Sequence, residues 1–274
     1  MGSEQSVDNT TVSRDTTEID GTEYRMYHTD SGHYPSVSTV LDARTTPEKD
    51  KSIQGWKNWL KGQPDRPDPS DVLDYKSWRG TLAHWAALNP LATRNLAGDE
   101  EAAAYDGLNG WQYRHDDALK QARSDIEWVE QTFQSHAEKW SVAAFEQGRV
   151  TENNTHAVER YVTDDTVGFG GQFDFAYEHP SRGTVMADIK TSKADTIDGL
   201  FDKKFPDYGM QLAAYARAWE RDVDECQLWW LAPDTREAHV LVEDAWPQSR
   251  ADYEQQFVDA AQSLHQTLLK NHNG

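Results

Sequence analysis

The 274-residue sequence predicts an α/β fold, with a mixed central β-sheet flanked by helices and an N-terminal helical region. Residues 155–190 contain three runs rich in β-branched and aromatic residues, which is typical of strands. A helical segment at 208–221 and a strand at 225–232 follow. Because a strand–helix–strand crossover is right-handed and joins parallel strands, we expect 225–232 to lie parallel to 184–190.

The first part of the chain is predicted to pass from a tail to a hairpin and then to helices. Residues 1–22 are polar and have no periodic apolar face, which is typical of a disordered tail. TEYRMYHT and GHYPS indicate a small hairpin, and Ser36 or Ser38 is suited to cap a helix near SVSTVLDA. GWKNWLKG predicts a second short helix before a loop rich in proline and aspartate. From Ser77 to about Gly148 the apolar spacing of three and four indicates helices.

Three regions follow from this pattern. They are the tail over 1–22, a hairpin and helical region over 23–150 that carries RGTLAH, and a core over 151–274. We expect the core to end with a strand at 236–243 and a helix at 247–271.

Two acids and a lysine carry the predicted chemistry. Asp174 lies in QFDFAYE, an alternating strand, and Asp188 lies in VMADIKTS, a buried strand, with HPSRG as the hairpin turn. Side chains alternate along a strand, so Asp188 and Lys190 share one face while Ile189 points to the core. Asp174 and Asp188 are hard oxygen ligands of the kind that Mg²⁺ or Mn²⁺ prefers. Since Lys190 can stabilise charge that grows on a phosphate, the pattern predicts a metal-dependent phosphodiesterase site.

Further candidates lie on either side of these strands. Gln211 and Tyr215 are four residues apart in a helix, so they share a face that can hold DNA. Glu159, in the strand VERYV, is a candidate further catalytic acid. His84 follows Arg79 in the helix YKSWRGTLAHWAAL, and histidine is a common ligand in metal sites shared with carboxylates.

Taken in order, these motifs resemble a known enzyme family. The motifs are RGT-x-x-H, an acidic strand residue, GG-x-x-D, D-x-K and Q-x-x-x-Y. This order is similar to that of the RecB-type branch of the PD-(D/E)XK nucleases, which includes phage and mitochondrial exonucleases. HYPSVSTVLDAR also resembles a segment that opens many phage-type members, and the likeness spans residues 33–232. The resemblance implies a restriction-endonuclease-like core.

The resemblance also implies roles for individual residues. It implies metal binding by His84, Asp174, Asp188 and the carbonyl of Ile189, catalysis by Lys190, and positioning of the DNA strand by Gln211 and Tyr215. One departure is informative, because some relatives hold an iron–sulfur cluster on four cysteines and this chain has Cys226 alone. We therefore expect no iron–sulfur cluster.

The charge of the chain bears on its partners. The net charge is −20, from 27 Lys and Arg against 47 Asp and Glu. The acid is spread over the whole chain, which resembles proteins of a high-salt cytoplasm, where the Debye length falls to roughly 3 Å. We interpret this as a haloarchaeal or halophilic-virus origin, with moderate acidity in an ordinary organism as the alternative. Positive charges beside the motifs, including Arg79 and Lys193, are expected to contact DNA.

The predicted function is that of a metal-dependent deoxyribonuclease, above all an exonuclease acting on DNA ends or single strands in replication, recombination or repair. We expect a cytoplasmic protein, cellular or virus-encoded, because no apolar run approaches the roughly twenty residues of a membrane span and no signal pattern opens the chain. Expected partners are DNA and proteins of recombination or replication. Two alternatives stay open: an endonuclease of the same superfamily, and a catalytically silent DNA-binding or assembly factor on a nuclease scaffold.

Overall fold

The structure of the protein is a computed structural model. It describes residues 5–7, 10–19, 22–44, 47–63, 67–91, 99–112, 117–142, 157–191 and 196–272. Within these ranges a four-stranded sheet and a five-stranded mixed sheet are combined with α-helices, which confirms the expected α/β class. In the same ranges no helix is both long and apolar enough to cross a membrane.

The N-terminal strands form an antiparallel sheet in the order β1-β2-β3-β4. Their bounds are Gln5–Val7 (β1), Thr10–Ile19 (β2), Thr22–Thr29 (β3) and Gly32–Pro35 (β4). The β3–β4 hairpin was expected, whereas β1 and β2 lie where the sequence predicts a disordered tail. The segment Thr10–Ile19 is rich in β-branched residues, and its pairing with β3, with Ser13 opposite His28, supplies hydrogen bonds that an isolated segment lacks.

Helices occupy most of the chain between the two sheets. Their bounds are Val37–Ala43 (α1), Pro47–Lys61 (α2), Pro69–Leu88 (α3), Asp99–Gln112 (α4) and Ala118–Lys139 (α5). Ser36, one of the two predicted capping serines, caps α1 by accepting a hydrogen bond from the amide of Thr39 at 3.0 Å. The helix α3 begins with Pro69 inside the predicted loop, because proline is tolerated in the first turn.

The five-stranded sheet has the order β5-β6-β7-β8-β9. Its strands are Ala157–Asp164 (β5), Phe169–His179 (β6), Gly183–Lys190 (β7), Glu225–Ala232 (β8) and Glu237–Val242 (β9), and the helices of this part are Ile197–Lys203 (α6), Phe205–Ala218 (α7) and Arg250–His272 (α8). The strands β7 and β8 are parallel, with Asp188 opposite Leu228, and the other neighbours are antiparallel. The predicted parallel pairing across a crossover is therefore confirmed.

Both faces of this sheet are covered by helices that include elements from the first half of the chain. On one face Val40 of α1 joins α7, α8 and strand residues such as Trp230. On the other face Leu88 of α3 and Phe133 of α5 pack with Trp229. Because helices before residue 150 contribute to both layers, the predicted boundary there divides elements that share their hydrophobic cores.

Candidate active site

The C-terminal end of β7 brings an acid and a lysine together. The Nζ atom of Lys190 lies 2.5 Å from Oδ2 of Asp188. Ile189, between them, points to the opposite face and packs in the cluster with α3 and α5, as predicted. Asp188 is only 1% exposed whereas the side chain of Lys190 is 21% exposed, so the pair lies where the core meets solvent.

The neighbouring strand β6 contributes Asp174. Phe175 is opposite Ala187 in the register of β6 and β7, which sets Asp174 beside Asp188. The amide of Ile189 donates a hydrogen bond to Oδ2 of Asp174 at 2.5 Å, so β7 itself holds this carboxylate in place. The predicted convergence of Asp174 with the β7 residues is thus observed. For Ile189 the contact with the site is made by its amide, and ligation by its carbonyl stays a prediction.

Glu159, on β5, has a strained backbone at the same level of the sheet. Its φ of 52° lies in the left-handed region, which costs free energy for a residue with a Cβ atom. The regular alternation of β6 also breaks here, because Phe173 packs with α7 while Phe175 packs with α5. In a regular strand these two residues would face the same side. Such breaks re-aim side chains, and this one lies where the carboxylates of Glu159 and Asp174 meet.

The helix α3 completes the cluster with His84. Its Nε2 atom contacts Oε1 of Glu159 and lies 3.6 Å from Oδ1 of Asp174. One ligand atom from each of these three residues falls within 4.8 Å of the others. The sequence predicts Asp188 as a metal ligand together with His84 and Asp174. Among the described residues, the third member of the group is Glu159, which the sequence predicts only as a catalytic acid.

The electrostatics of the cluster show an excess of acid. Burial and the neighbouring Asp174 raise the pKa of Asp188 to about 6, against the opposing effect of Lys190. Burial also raises the pKa of Asp174. Burial lowers the pKa of His84, but Asp174 and Glu159 together raise it to about 9. Three carboxylates therefore face one imidazole and one ammonium group.

The surroundings of the Asp188 carboxylate show whether the cluster suits a cation. Both of its carboxylate oxygens are buried; Oδ2 contacts the ammonium group of Lys190, and Oδ1 has no donor among the described residues. The contact with Lys190 is close in distance without being well directed. Buried oxygens without donors are costly unless a cation takes their lone pairs. Because carboxylates with one imidazole are suitable ligands for Mn²⁺ and, through the oxygens, Mg²⁺, these residues fit a divalent cation.

The helix α7 covers the site from the other side. Gln211 donates a hydrogen bond from Nε2 to the hydroxyl of Tyr215 at 2.8 Å, which confirms their shared face. Burial and the nearby Asp188 raise the pKa of Tyr215 well above its usual range. A Cβ atom on Gly171 would lie 2.4 Å from the ring of Tyr215. The second glycine of the GG motif therefore leaves the space in which this ring packs on β6.

Tyr208 lies at the site although the sequence analysis did not single it out. The Nζ atom of Lys190 lies 5.3 Å from the centre of the Tyr208 ring. The spacing of Tyr208, Gln211 and Tyr215 is three and then four residues, so all three lie on one face of α7. This spacing is the pattern from which Tyr208 could have been predicted.

Arg79, predicted to contact DNA, is a structural residue. It is 5% exposed, and its Nη1 donates to Asp125 and to Asp234, both at 2.8 Å. Its Nη2 donates to the second oxygen of Asp234 at 3.1 Å. Because Asp125 and Asp234 take the guanidinium group, contact of Arg79 with DNA stays a prediction; Asp234 is 155 residues away in sequence, and no local pattern shows that pairing. Lys193, the other predicted DNA contact outside α7, lies outside the described residues.

Comparisons with known proteins do not assign the chain to a family. No family model and no curated protein matches it. Among solved structures it is similar to the crystal structure of SSO0001, at 17% sequence identity, with 55% of this chain and 68% of that chain covered and a TM-score of 0.27. A likeness with so low a TM-score carries no argument about activity, so function must be argued from the side chains.

Proposed function

We propose that this protein is a metal-dependent deoxyribonuclease of the RecB-type PD-(D/E)XK branch, acting as an exonuclease on DNA ends or single strands. The observation that carries the proposal is the meeting of Asp174, Asp188 and Lys190 at the end of β7, with Oδ1 of Asp188 buried and without a donor in the described ranges. A buried excess of carboxylate beside a fixed ammonium group suits phosphodiester hydrolysis, in which cations stabilise negative oxygens.

The proposed cation ligands are His84, Glu159 and Asp174, with Asp188 and the carbonyl of Ile189 as further donors. Bound Mg²⁺ or Mn²⁺ would supply a Lewis acid for the phosphate and lower the pKa of a water molecule. The protein contributes orientation, because the amide of Ile189 holds Asp174 and the strained backbone of Glu159 directs a second carboxylate to the same point.

Lys190 is suited to stabilise negative charge that develops on a phosphate. Burial lowers the pKa of its ammonium group, but the nearby carboxylates of Asp188 and Asp174 raise the pKa by more, so the net shift is upward. The side chain therefore stays cationic at neutral pH. Held between Asp188 and the ring of Tyr208, it offers a fixed positive charge to a scissile phosphate in the transition state.

DNA would reach the site along α7. Gln211 is partly exposed and is the proposed contact for the strand, whereas Tyr215 is 5% exposed and is proposed to position Gln211 through their hydrogen bond, with Lys193 as a proposed phosphate contact. High salt would screen the net charge of −20 that otherwise repels a polyanion. We expect the enzyme to act in the cytoplasm with recombination or replication proteins.

The proposal is tested by incubating the full chain with end-labelled linear DNA and with circular DNA, each single- and double-stranded. Reactions contain Mg²⁺ or Mn²⁺ in high salt, with a chelator as the control. Shortening of linear DNA from its ends, dependent on the metal, supports the exonuclease. Cleavage of circles replaces it with the endonuclease.

A catalytically silent DNA-binding factor would give a third outcome. It would retain DNA in a binding assay with either metal and leave every substrate intact. Metal-independent retention of DNA together with a cooperative thermal unfolding transition distinguishes this outcome from an inactive preparation, because a misfolded chain shows neither.

A further inference from the structure

The N-terminal sheet brings two histidines into contact, on a different sheet from Asp188. His28 of β3 and His33 of β4 are directly opposite each other in the antiparallel register. Their Nδ1 atoms contact each other, with ring centroids 4.4 Å apart and ring planes at 76°. The two imidazoles thus aim the same type of nitrogen at one point.

Asp15 of β2 lies behind one of these rings. Its Oδ1 is 2.7 Å from Nε2 of His28. The angle of this contact is not that of a hydrogen bond, and Nε2 has no other hydrogen-bond partner among the described residues. A carboxylate so close to Nε2 favours the tautomer with its proton there, which leaves the lone pair on Nδ1. A carboxylate behind an imidazole is also the arrangement that orients histidine ligands in metal sites.

The hairpin fixes the two histidines before any ligand binds. Thr29 Oγ1 accepts hydrogen bonds from the amides of Ser31 at 3.2 Å and Gly32 at 3.1 Å. The turn is therefore closed immediately beside His28 and His33. Because both residues lie on strands held in register, ligand binding would require little ordering of the backbone.

We propose that His28 and His33 form a two-histidine site for Zn²⁺, separate from the proposed nuclease centre. Two contacting Nδ1 atoms share either a proton, in a hydrogen bond, or a cation, and Zn–N bonds of about 2.0–2.1 Å would hold the two rings further apart than the hydrogen bond does. Neutral imidazole suits Zn²⁺, whereas Mg²⁺ prefers oxygen ligands and would not compete. His33 is exposed, so water can complete the coordination and the ion can exchange. Bound Zn²⁺ links β3 to β4 and stabilises the hairpin by mass action.

The test is a calorimetric titration of the untagged full chain with Zn²⁺ in excess Mg²⁺. A His84→Gln background removes the imidazole of the nuclease centre, so that any remaining imidazole site is observed alone. We expect one strong site, weakened at least about 100-fold by His28→Gln or His33→Gln and about 10-fold by Asp15→Asn. The matched control is His179→Gln, which removes a histidine beside the β6–β7 turn and should leave the affinity unchanged.

Two results would overturn the site. One is an unchanged Zn²⁺ affinity in both His28→Gln and His33→Gln, and the other is an equal loss in His179→Gln, which would mean unspecific binding by histidines. Hydrogen exchange gives an independent readout, because Zn²⁺ should slow amide exchange in β3 and β4 of the parent but not of His33→Gln. No slowing in the parent would also count against the proposal. The outcome is independent of whether the chain cleaves DNA.

Discussion

The network around Arg79 and the acid cluster at the end of β7 are both buried and charged, but they differ in how the charge is balanced. In the network, Arg79 pairs with Asp125 and Asp234. Arg236 adds a second guanidinium group 3.0 Å from Asp125, and Gln121 donates to the same carboxylate at 2.8 Å. Each carboxylate of this network contacts a guanidinium group, and donors are directed at the buried carboxylate of Asp125.

The acid cluster has no such balance. Glu159, Asp174 and Asp188 face His84 and Lys190, and Oδ1 of Asp188 is buried without a donor in the described ranges. Burial of charge is therefore common to a structural tie and to a candidate catalytic site. The difference lies in the excess of negative charge, which leaves a demand for a cation that the described side chains do not meet.

The largest expected effect comes from removing an acid of the cluster. Asp174→Ala or Asp188→Ala should lower the cleavage rate at least about 10³-fold, because no neighbouring group replaces the lost carboxylate. The measurement is turnover of end-labelled single-stranded DNA with Mn²⁺, alongside thermal unfolding to show that the fold persists. Asp165→Ala, an exposed acid in the β5–β6 turn, is the control. Turnover near the parent rate in either cluster variant contradicts the site.

Lys190 separates chemistry from binding. Lys190→Ala should lower kcat by roughly 10²- to 10⁴-fold with little change in DNA affinity, because the ammonium group acts most strongly on the transition state. Single-turnover rates and a DNA-binding isotherm measure the two quantities, with Lys203→Ala on the exposed face of α6 as the control. Normal turnover at saturating DNA with a raised KM would instead identify a DNA-binding lysine.

The balanced network should respond in the opposite way. Arg79→Met should lower the free energy of unfolding by about 3–5 kcal/mol, because the buried carboxylate of Asp125 loses a main partner. Denaturant unfolding measures this loss, and activity per folded molecule should stay near that of the parent. If Arg79→Met keeps its stability and loses DNA affinity, Arg79 contacts DNA after all.

The excess acid also predicts how metal binding depends on pH. The pKa of Asp188 is raised to about 6 and that of His84 to about 9, so a cation must displace protons from both at low pH. Mn²⁺ affinity should therefore rise at least about tenfold between pH 5.5 and 7.5. Without metal, the raised pKa of Asp188 makes the free energy of unfolding fall as the pH rises from about 4 to about 6.

The His84→Gln variant checks the histidine's part in that dependence. Removing the imidazole should weaken Mn²⁺ activation more than Mg²⁺ activation and abolish the rise in affinity above neutral pH. Metal titrations followed by cleavage rate and by thermal unfolding provide two readouts. An unchanged Mn²⁺ titration would make His84 an ordinary helix residue.

The smallest effect is expected at the edge of the network. Arg236 also pairs with Asp125, but its side chain is 39% exposed, so Arg236→Gln should cost less than about 1 kcal/mol of stability. The comparison with Arg79→Met by the same denaturant unfolding separates the buried partner from the exposed one. A cost equal to that of Arg79→Met would show that both guanidinium groups are needed.

The sequence by itself determined the features that depend on residues close together in the chain. The strands β5 to β9, the parallel step from β7 to β8, and the shared face of Asp188 and Lys190 follow from periods of two and from one crossover rule. The cap at Ser36 and the common face of Gln211 and Tyr215 are equally local. These were predictable because neighbours in sequence decide them.

The tertiary structure alone decided which charges meet. Arg79 and His84 are near each other in α3, yet Arg79 pairs with Asp234 and His84 pairs with Glu159. The strained backbone of Glu159, the break in alternation along β6, and the pairing that makes a strand of Thr10–Ile19 likewise depend on adjacent strands. The physical reason is that a buried charge takes the partner that the packed chain brings within a few ångströms, and no local period encodes that distance.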